Sequence, residues 1–304
     1  MTALDLTVEQ ANWLDWRRHG LGGSDIGALL GLSKWQSPWS LWADKLGLLA
    51  DTETTARQRI GHRMEAVLAA EFRDHTGLYI AGEQTRCTSK AWPIARCTID
   101  GYVCEDPDDG EPLGIWEAKT DAHFSWPDGP PASYLAQARW NMMVTGTTAC
   151  WLTVMFAGFR CETFEILQHQ PDVDLMLDRA REFWQHIETG EPPPVDASDA
   201  TTAAIGQAWP DHVSGVRAEL DTISELVAER VGRKAQAKVL DDLIAEIDNE
   251  IKVLLADAEV GTVAGEPVVT WRQQAGRTST CEACGHTKTG APFRVLRTTK
   301  KGTK

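Results

Sequence analysis

Thr98-Ile99-Asp100-Gly101 and Ile115-Trp116-Glu117-Ala118-Lys119 set an aspartate and a glutamate 17 positions apart, each at or within an apolar run. Both runs read as strands, with Asp100 closing the first. Successive residues of a strand alternate faces, so Glu117 and Lys119 point one way and Ala118 points the other, into the core. Two carboxylates from adjacent strands can chelate Mg²⁺, which takes oxygen ligands and keeps several waters. A lysine beside them can orient or deprotonate an attacking water, or stabilise charge on a phosphate in transfer. Alone, the pattern also fits an exposed Glu–Lys pair on a strand with Asp100 in a turn.

Outward from these strands, periodicity predicts alternating helical and extended blocks. Residues 5–20 read as an amphipathic helix with Trp13 and Trp16 inward, and Ser24 reads as the N-cap of a short helix from Asp25 to Leu30 after a flexible Gly22-Gly23. Ser37-Pro38 opens a third helix to Leu46, and a long helix runs from Thr54 to His75 with Met64, Val67, Leu68 and Phe72 as its stripe. Extended runs follow at 78–81, 84–88, 95–103, 114–119, 150–156 and 160–166, with helices at 131–144 and 171–189 among and after them. The expected fold is α/β in the α+β sense: a mixed central sheet flanked by helices. Residues 213–255 read as a long helix or helical hairpin with a coiled-coil-like seam, and 261–271 as a hairpin turning at Gly265-Glu266. The expected division is a first domain over 1–195, a helical and hairpin segment over 196–271, and a basic, flexible tail over 272–304.

Three more features sit at suggestive positions around the acidic–lysine pair. Glu65, in Gly61-His62-Arg63-Met64-Glu65, lies on the long helix opposite its apolar face. Gln137, in Tyr134-Leu135-Ala136-Gln137, lies on the helix after the Glu117 strand. Arg17 and Ser24 sit seven positions apart near a helix start, where a guanidinium, a hydroxyl and free amides can take a phosphate. Each has a plain alternative: a solvated face, a surface amide, a mere cap. Their order and spacing together are harder to dismiss.

From Trp13 to Phe156 the sequence resembles the phage-type exonuclease/recombinase family of the PD-(D/E)XK nuclease superfamily, which includes lambda-type alkaline exonuclease and YqaJ-type viral recombinases. The likeness rests on Trp13 and Arg17, the run from Gly22 to Ser33, Gly61 with Glu65, Asp100-Gly101, Glu117 with Lys119, and Tyr134 with Gln137 ahead of Thr145-Gly146. Ile99 stands where the superfamily pattern has proline. The resemblance implies a PD-(D/E)XK core in which Asp100, Glu117 and the carbonyl of Ala118 hold Mg²⁺, two ions per site, with Mn²⁺ able to substitute. It makes Lys119 act on the attacking water and Glu65 an acidic helper on metal or water. Gln137 would position the phosphate or water, and Arg17 and Ser24 would hold a terminal 5′-phosphate. It further implies 5′→3′ digestion of linear duplex DNA from its ends, a homo-oligomer such as a ring-shaped trimer, and delivery of the 3′ strand to a single-strand annealing protein. An endonuclease on the same fold, or a non-catalytic DNA-binding assembly protein, are the competing readings.

Composition narrows the setting. The 304 residues carry a net charge of −14, which argues against nonspecific coating of nucleic acid but leaves room for a local basic groove. Residues 272–304 hold eight basic residues and one acid, Glu282, so a DNA-contacting arm and a solubilising end are both open readings there. Arg57, Arg59 and Arg63 are candidate phosphate contacts beside Glu65. No apolar run of membrane-spanning length occurs, and the first ten residues lack a secretory pattern, so a cytoplasmic protein is expected; the resemblance implies a phage or prophage protein acting in a bacterial host. Seven scattered cysteines suit a reducing compartment. Cys281, Cys284 and His286 could supply three of the four ligands of a zinc site and would need a distant fourth. Of the thirteen tryptophans, most fall on apolar faces; Trp35 and Trp39 are the candidates for a wedge at a DNA end.

Overall fold

The computed structural model describes residues 8–51, 55–106, 111–219, 223–280 and 286–298. They divide into two units, 1–212 and 213–304.

The first unit opens with three short helices: α1 (Val8–Arg18), α2 (Gly23–Leu29) and α3 (Pro38–Lys45). Ser37 caps α3, accepting the Ser40 amide, with Pro38 at the first helical position where a missing N–H costs nothing. α4 (Ala56–Thr76) follows, capped by Thr55 and stopped by Gly77 in the left-handed region. Leu68 and Phe72 are its buried residues, while Val67, expected in the stripe, is exposed.

Strands β1 (Tyr79–Ala81), β2 (Thr85–Thr88), β3 (Arg96–Ile99), β4 (Gly101–Cys104) and β5 (Gly114–Asp121) come next, then helix α5 (Ala132–Thr145) and strands β6 (Ala149–Phe156) and β7 (Arg160–Leu167). The sheet order is β1-β4-β5-β6-β7, with β5 and β6 parallel and the other pairs antiparallel. A parallel pair needs a crossover, and α5 supplies it. The expected mixed sheet flanked by helices is therefore what the chain forms. One predicted strand, 95–103, is divided: it bends at Asp100, so β3 pairs with β2 and β4 joins the main sheet. Gly101 makes that corner possible, because a Cβ there would lie 2.3 Å from Ile80 Cγ2.

Alternation along β5 builds both layers. Trp116 faces α4 and meets Phe72 at 6.4 Å between ring centroids, while its indole N–H donates to Thr153 Oγ1 at 2.9 Å. Trp116, Trp140, Phe72 and Phe156 are fully buried, each stabilising the fold by roughly 1.5–3 kcal/mol through burial. α6 (Gln170–Thr189) and α7 (Asp199–Ala208) complete the unit. α7 is tied to α3 by the Thr201 hydroxyl donating to Ser37 Oγ at 2.7 Å and by Trp39 stacked against Trp209. The boundary expected at residue 195 is thus moved to 212, since 196–212 pack on the rest of the first unit.

In the second unit α8 (Ile223–Leu255) is one helix, beginning ten residues after the predicted start and with no hairpin. β8 (Val260–Val263) and β9 (Glu266–Gln274) form the expected hairpin. β10 (Thr278–Thr280) pairs with β11 (Thr287–Thr289), and β12 (Phe293–Thr298) pairs with β9. The expectation of a flexible tail is corrected by these strands for the described residues 272–280 and 286–298. Arg294 shows the physical reason. Its guanidinium stacks 3.6 Å from the Trp271 ring centroid and donates to the carbonyls of Trp271, Ala256 and Ala258. Arg272 likewise pairs with Glu259 at 2.6 Å, so these two cations serve the fold.

Candidate active site

The corner at Asp100 and the middle of β5 meet because β4 and β5 pair with Gly101 opposite Trp116. Where that ladder ends, Asp100 Oδ2 accepts the Ala118 amide at 2.9 Å, taking the place of a backbone acceptor. In an extended strand a residue's N–H and C=O lie along the same edge, so Ala118 presents its carbonyl on the Asp100 side.

Glu117 points to the opposite layer, toward α5. Only 2% of it is exposed. Its Oε2 accepts from Lys119 Nζ at 3.0 Å and from Gln137 Nε2 at 3.1 Å, and its Oε1 accepts from Asn141 Nδ2 at 2.7 Å. Burial pushes the Glu117 carboxyl up; Lys119 and Asn141 counter this, the nearby charge of Asp100 adds to it, and the net shift is upward. For Lys119 burial alone would lower the ammonium, but Glu117 and Asp100 override it and hold the group well above its ordinary range.

Glu65 approaches from α4. Gln84, in the turn between β1 and β2 with φ of 52°, donates from one amide nitrogen to Glu65 Oε2 at 3.0 Å and to Asp100 Oδ1 at 3.2 Å. His62 Nδ1 stands 2.8 Å from Glu65 Oε1. Two hydrogen-bonded groups result, Glu65 with Gln84, Asp100 and the Ala118 amide, and Glu117 with Lys119, Gln137 and Asn141; strand β5 carries members of both, and the charge of Asp100 acts on Glu117 and Lys119. Arg57, Arg59 and Arg63 are exposed along the same helix.

The donor set suits a hard cation. Asp100, Glu117, Glu65 and the Ala118 carbonyl offer oxygen alone, the chemistry of Mg²⁺ or Mn²⁺ rather than of zinc. Among the described residues no three His, Cys, Asp or Glu side chains come together closely enough to hold a metal ion between them. Mg²⁺ does not need three, because it retains waters and accepts one or two carboxylates. An amide hydrogen pair shared by two carboxylates, and an ammonium against the third, mark a cluster short of positive charge.

Arg17 and Ser24 are placed differently from expectation. The N-cap of α2 is Gly22, and Ser24 is the second residue of that helix, with an exposed side chain. Asp25 supplies the capping interaction, its Oδ2 accepting the Gly22 amide at 2.9 Å. The same oxygen takes Lys45 Nζ at 2.7 Å, both side chains fully buried, while Oδ1 faces Arg17 Nη2 at 3.4 Å. Arg17, about a third exposed, is held charged by Asp25 and Asp44 against the opposing effect of burial. Gly23, read as flexible from sequence, is instead a close-packing position. A Cβ there would lie 2.3 Å from Asn141 Oδ1 and 3.0 Å from Gln137 Cγ. α2 therefore abuts the two amides that grip Glu117.

Sequence reading missed Gln84, Asn141 and Lys45. Asn141 was findable, since it lies one helical turn beyond Gln137 on the same face. Gln84 gave no signal, because it acts from a turn. Trp39 is buried against Trp42 and Trp209, which removes it as a wedge, whereas Trp35 is 85% exposed. Cys281 and Cys284 lie outside the described residues, and His286 is exposed. No described helix is long and apolar enough to cross a membrane.

Residues 12–148 match the family model of the YqaJ-like viral recombinase domain, and this stretch holds every residue of the two groups above. That agrees with the resemblance drawn from the motifs. The Bacillus subtilis (strain 168) protein YqaJ, itself uncharacterized, is 26% identical over 279 residues, covering 87% of this chain and 86% of that one. Two solved structures are more distantly similar. The alkaline exonuclease LHK-Exo from Laribacter hongkongensis is 15% identical with a TM-score of 0.48, covering 59% of this chain and 93% of that one. A phage-related exonuclease from Haemophilus somnus 129PT is 12% identical with a TM-score of 0.46, covering 56% and 94% respectively.

Proposed function

We propose that the protein is a metal-dependent DNA exonuclease that digests linear duplex from its ends, 5′→3′, leaving 3′ single strands for phage-type recombination. The observation that carries this is the corner at Asp100 beside strand β5, with Lys119 and Gln137 bound to Glu117 and Glu65 tied to Asp100 through Gln84, inside the stretch that matches a YqaJ-like domain. Asp100, Glu117 and the Ala118 carbonyl, with Glu65 assisting, would hold Mg²⁺, or Mn²⁺ in its place, as two ions per site. The metal supplies a water of lowered pKa and neutralises charge on the leaving oxygen. The chain's own groups do the rest. Lys119 donates to the attacking water or to a phosphate oxygen, Gln137 orients the scissile phosphate, and Asn141 fixes the Glu117 carboxylate.

Arg17 and the exposed Ser24 are proposed to receive a terminal 5′-phosphate, which carries about one more negative charge than an internal diester. Assembly as a homo-oligomer, hand-over of the 3′ strand to a single-strand annealing protein, and action in the cytoplasm of a bacterial host belong to the same reading. The experiment is digestion of 5′-phosphorylated linear duplex, 5′-hydroxyl linear duplex and covalently closed circles, with and without Mg²⁺. Cleavage of linear DNA alone, faster at phosphorylated ends, is expected; nicking of closed circles at a comparable rate makes it an endonuclease. Arg17→Ala should erase most of the end preference. If Arg17 serves only Asp25, the variant will instead slow both ends equally and melt at lower temperature.

A further inference from the structure

α8 bears a seam in which the step alternates strictly between three and four residues from Ile223 to Leu254, and every position on it is apolar except Arg230 and Arg233. That is the a/d spacing of a coiled coil, which needs a facing helix to fill. Within its own unit α8 buries only Leu255. The seam stays open: Leu226 is 63% exposed, Leu240 61%, Ile244 58%, Ile247 56% and Leu254 85%. An exposed stripe of this length, apolar but for two arginine positions, marks an interaction surface.

The charges along the helix say what covers it. The N-terminal half carries Arg230, Arg233, Lys234 and Lys238 against Glu225 and Glu229. The C-terminal half carries Asp241, Asp242, Glu246, Asp248 and Glu250 against Lys252. One α8 is therefore complementary to another running the opposite way. We propose that two copies of this chain pair antiparallel through α8, with the two-fold axis passing between Lys238 and Val239.

In that register Ala237 meets Leu240 of the second copy, Leu226 meets Ile251, and Ile223 meets Leu254. Arg233 lies across from Ile244 and Arg230 across from Ile247, their aliphatic stems covering the isoleucines while the guanidinium heads reach the flanking Glu246 and Asp248. A parallel pair would stack Arg230 on Arg230 and Arg233 on Arg233 inside the seam, bringing like charges together where water is excluded. The pairs within the helix, Arg233 with Glu229 at 3.3 Å and Lys238 with Asp242 at 2.5 Å, are exposed and too weak to compete. The two-fold contact is self-complementary, as a closed dimer requires. It uses only residues of the second unit, so it stands or falls independently of the nuclease site.

The test places the photo-crosslinking residue p-benzoylphenylalanine at Arg233 in the full chain, mixes light and isotope-heavy protein, irradiates, and maps the adducts by mass spectrometry. The expected product joins position 233 of one copy to the peptide around Ile244 of the other. A 233-to-233 adduct, an adduct within one chain to residues 1–212, or no adduct between copies each overturns the proposal. Sedimentation gives a second readout. Arg230→Glu/Arg233→Glu/Lys234→Glu should weaken self-association by about tenfold or more, and adding Asp241→Lys/Asp242→Lys/Glu246→Lys should restore it. With helix content unchanged by circular dichroism, failure of the second set to restore pairing contradicts the antiparallel register.

Discussion

At the scale of single residues, Glu117 is tightly constrained. It is buried, accepts three hydrogen bonds and sits beside a second carboxylate. Its orientation depends on two amides that α2 crowds through Gly23, where any side chain must displace Asn141 or Gln137. Gly23→Ala is therefore expected to lower the hydrolysis rate by about 10- to 100-fold through misplacement of Glu117, while the protein still folds. Initial rates and a thermal melt of the variant check this; a full rate with a displaced α2 would show that the amides are not what fixes the carboxylate. Gly22-Gly23 was legible as a motif but not as a packing device, because close approach between helices leaves no trace in local spacing.

At the scale of elements, the start of α3 and the strands of the first unit could be read from the chain because caps and alternation are local, whereas the starts of α2 and α8 were misplaced. Ser37 marks a helix start directly, and β5 shows its two faces in five residues. What could not be read was long-range. Lys45 closes α3 onto Asp25 of α2 and the Arg17 carbonyl of α1, so three separate elements share one buried ion pair. Lys45→Met removes the nearest partner and leaves buried Asp25 with only Arg17 at 3.4 Å and the Gly22 amide, which should cost up to about 3–5 kcal/mol in chemical denaturation. Burial alone would raise the Asp25 carboxyl, yet Lys45 and Arg17 bring it below its ordinary value. Its ionised form thus stabilises the fold above the unfolded-state pKa of about 3.9, and this contribution is lost as pH falls through the lower folded-state value. Melts across that acid range should accordingly show a shallower loss for Lys45→Met than for wild type. Equal slopes would mean the ion pair is not what holds the three helices.

At the scale of the whole molecule, composition misled in one respect. The basic run after residue 272 suggested a free arm, but cations cannot be told from structural guanidiniums by counting; Arg294 is spent on three carbonyls and an indole. The division at 212 rather than 195 arose likewise from contacts between α7 and α3 that no local pattern announces. Residues 1–212 expressed alone should consequently unfold in one cooperative step and keep metal-dependent hydrolysis, whereas residues 1–195, lacking α7, should melt at lower temperature. Calorimetry of the two fragments decides it. Identical melting would return the boundary to 195.

The central claim is that Asp100 and Glu117 perform the chemistry while other groups hold the DNA. The most direct measurement is the single-turnover hydrolysis rate of Glu117→Ala and Asp100→Ala on linear duplex in Mg²⁺, beside their duplex affinity measured without hydrolysis. Both variants should lose hydrolysis and bind DNA nearly as tightly as wild type, because each lacks a carboxylate and no phosphate contact. Retention of more than about a tenth of the wild-type rate, a barrier change under ~1.4 kcal/mol, would place the active site elsewhere.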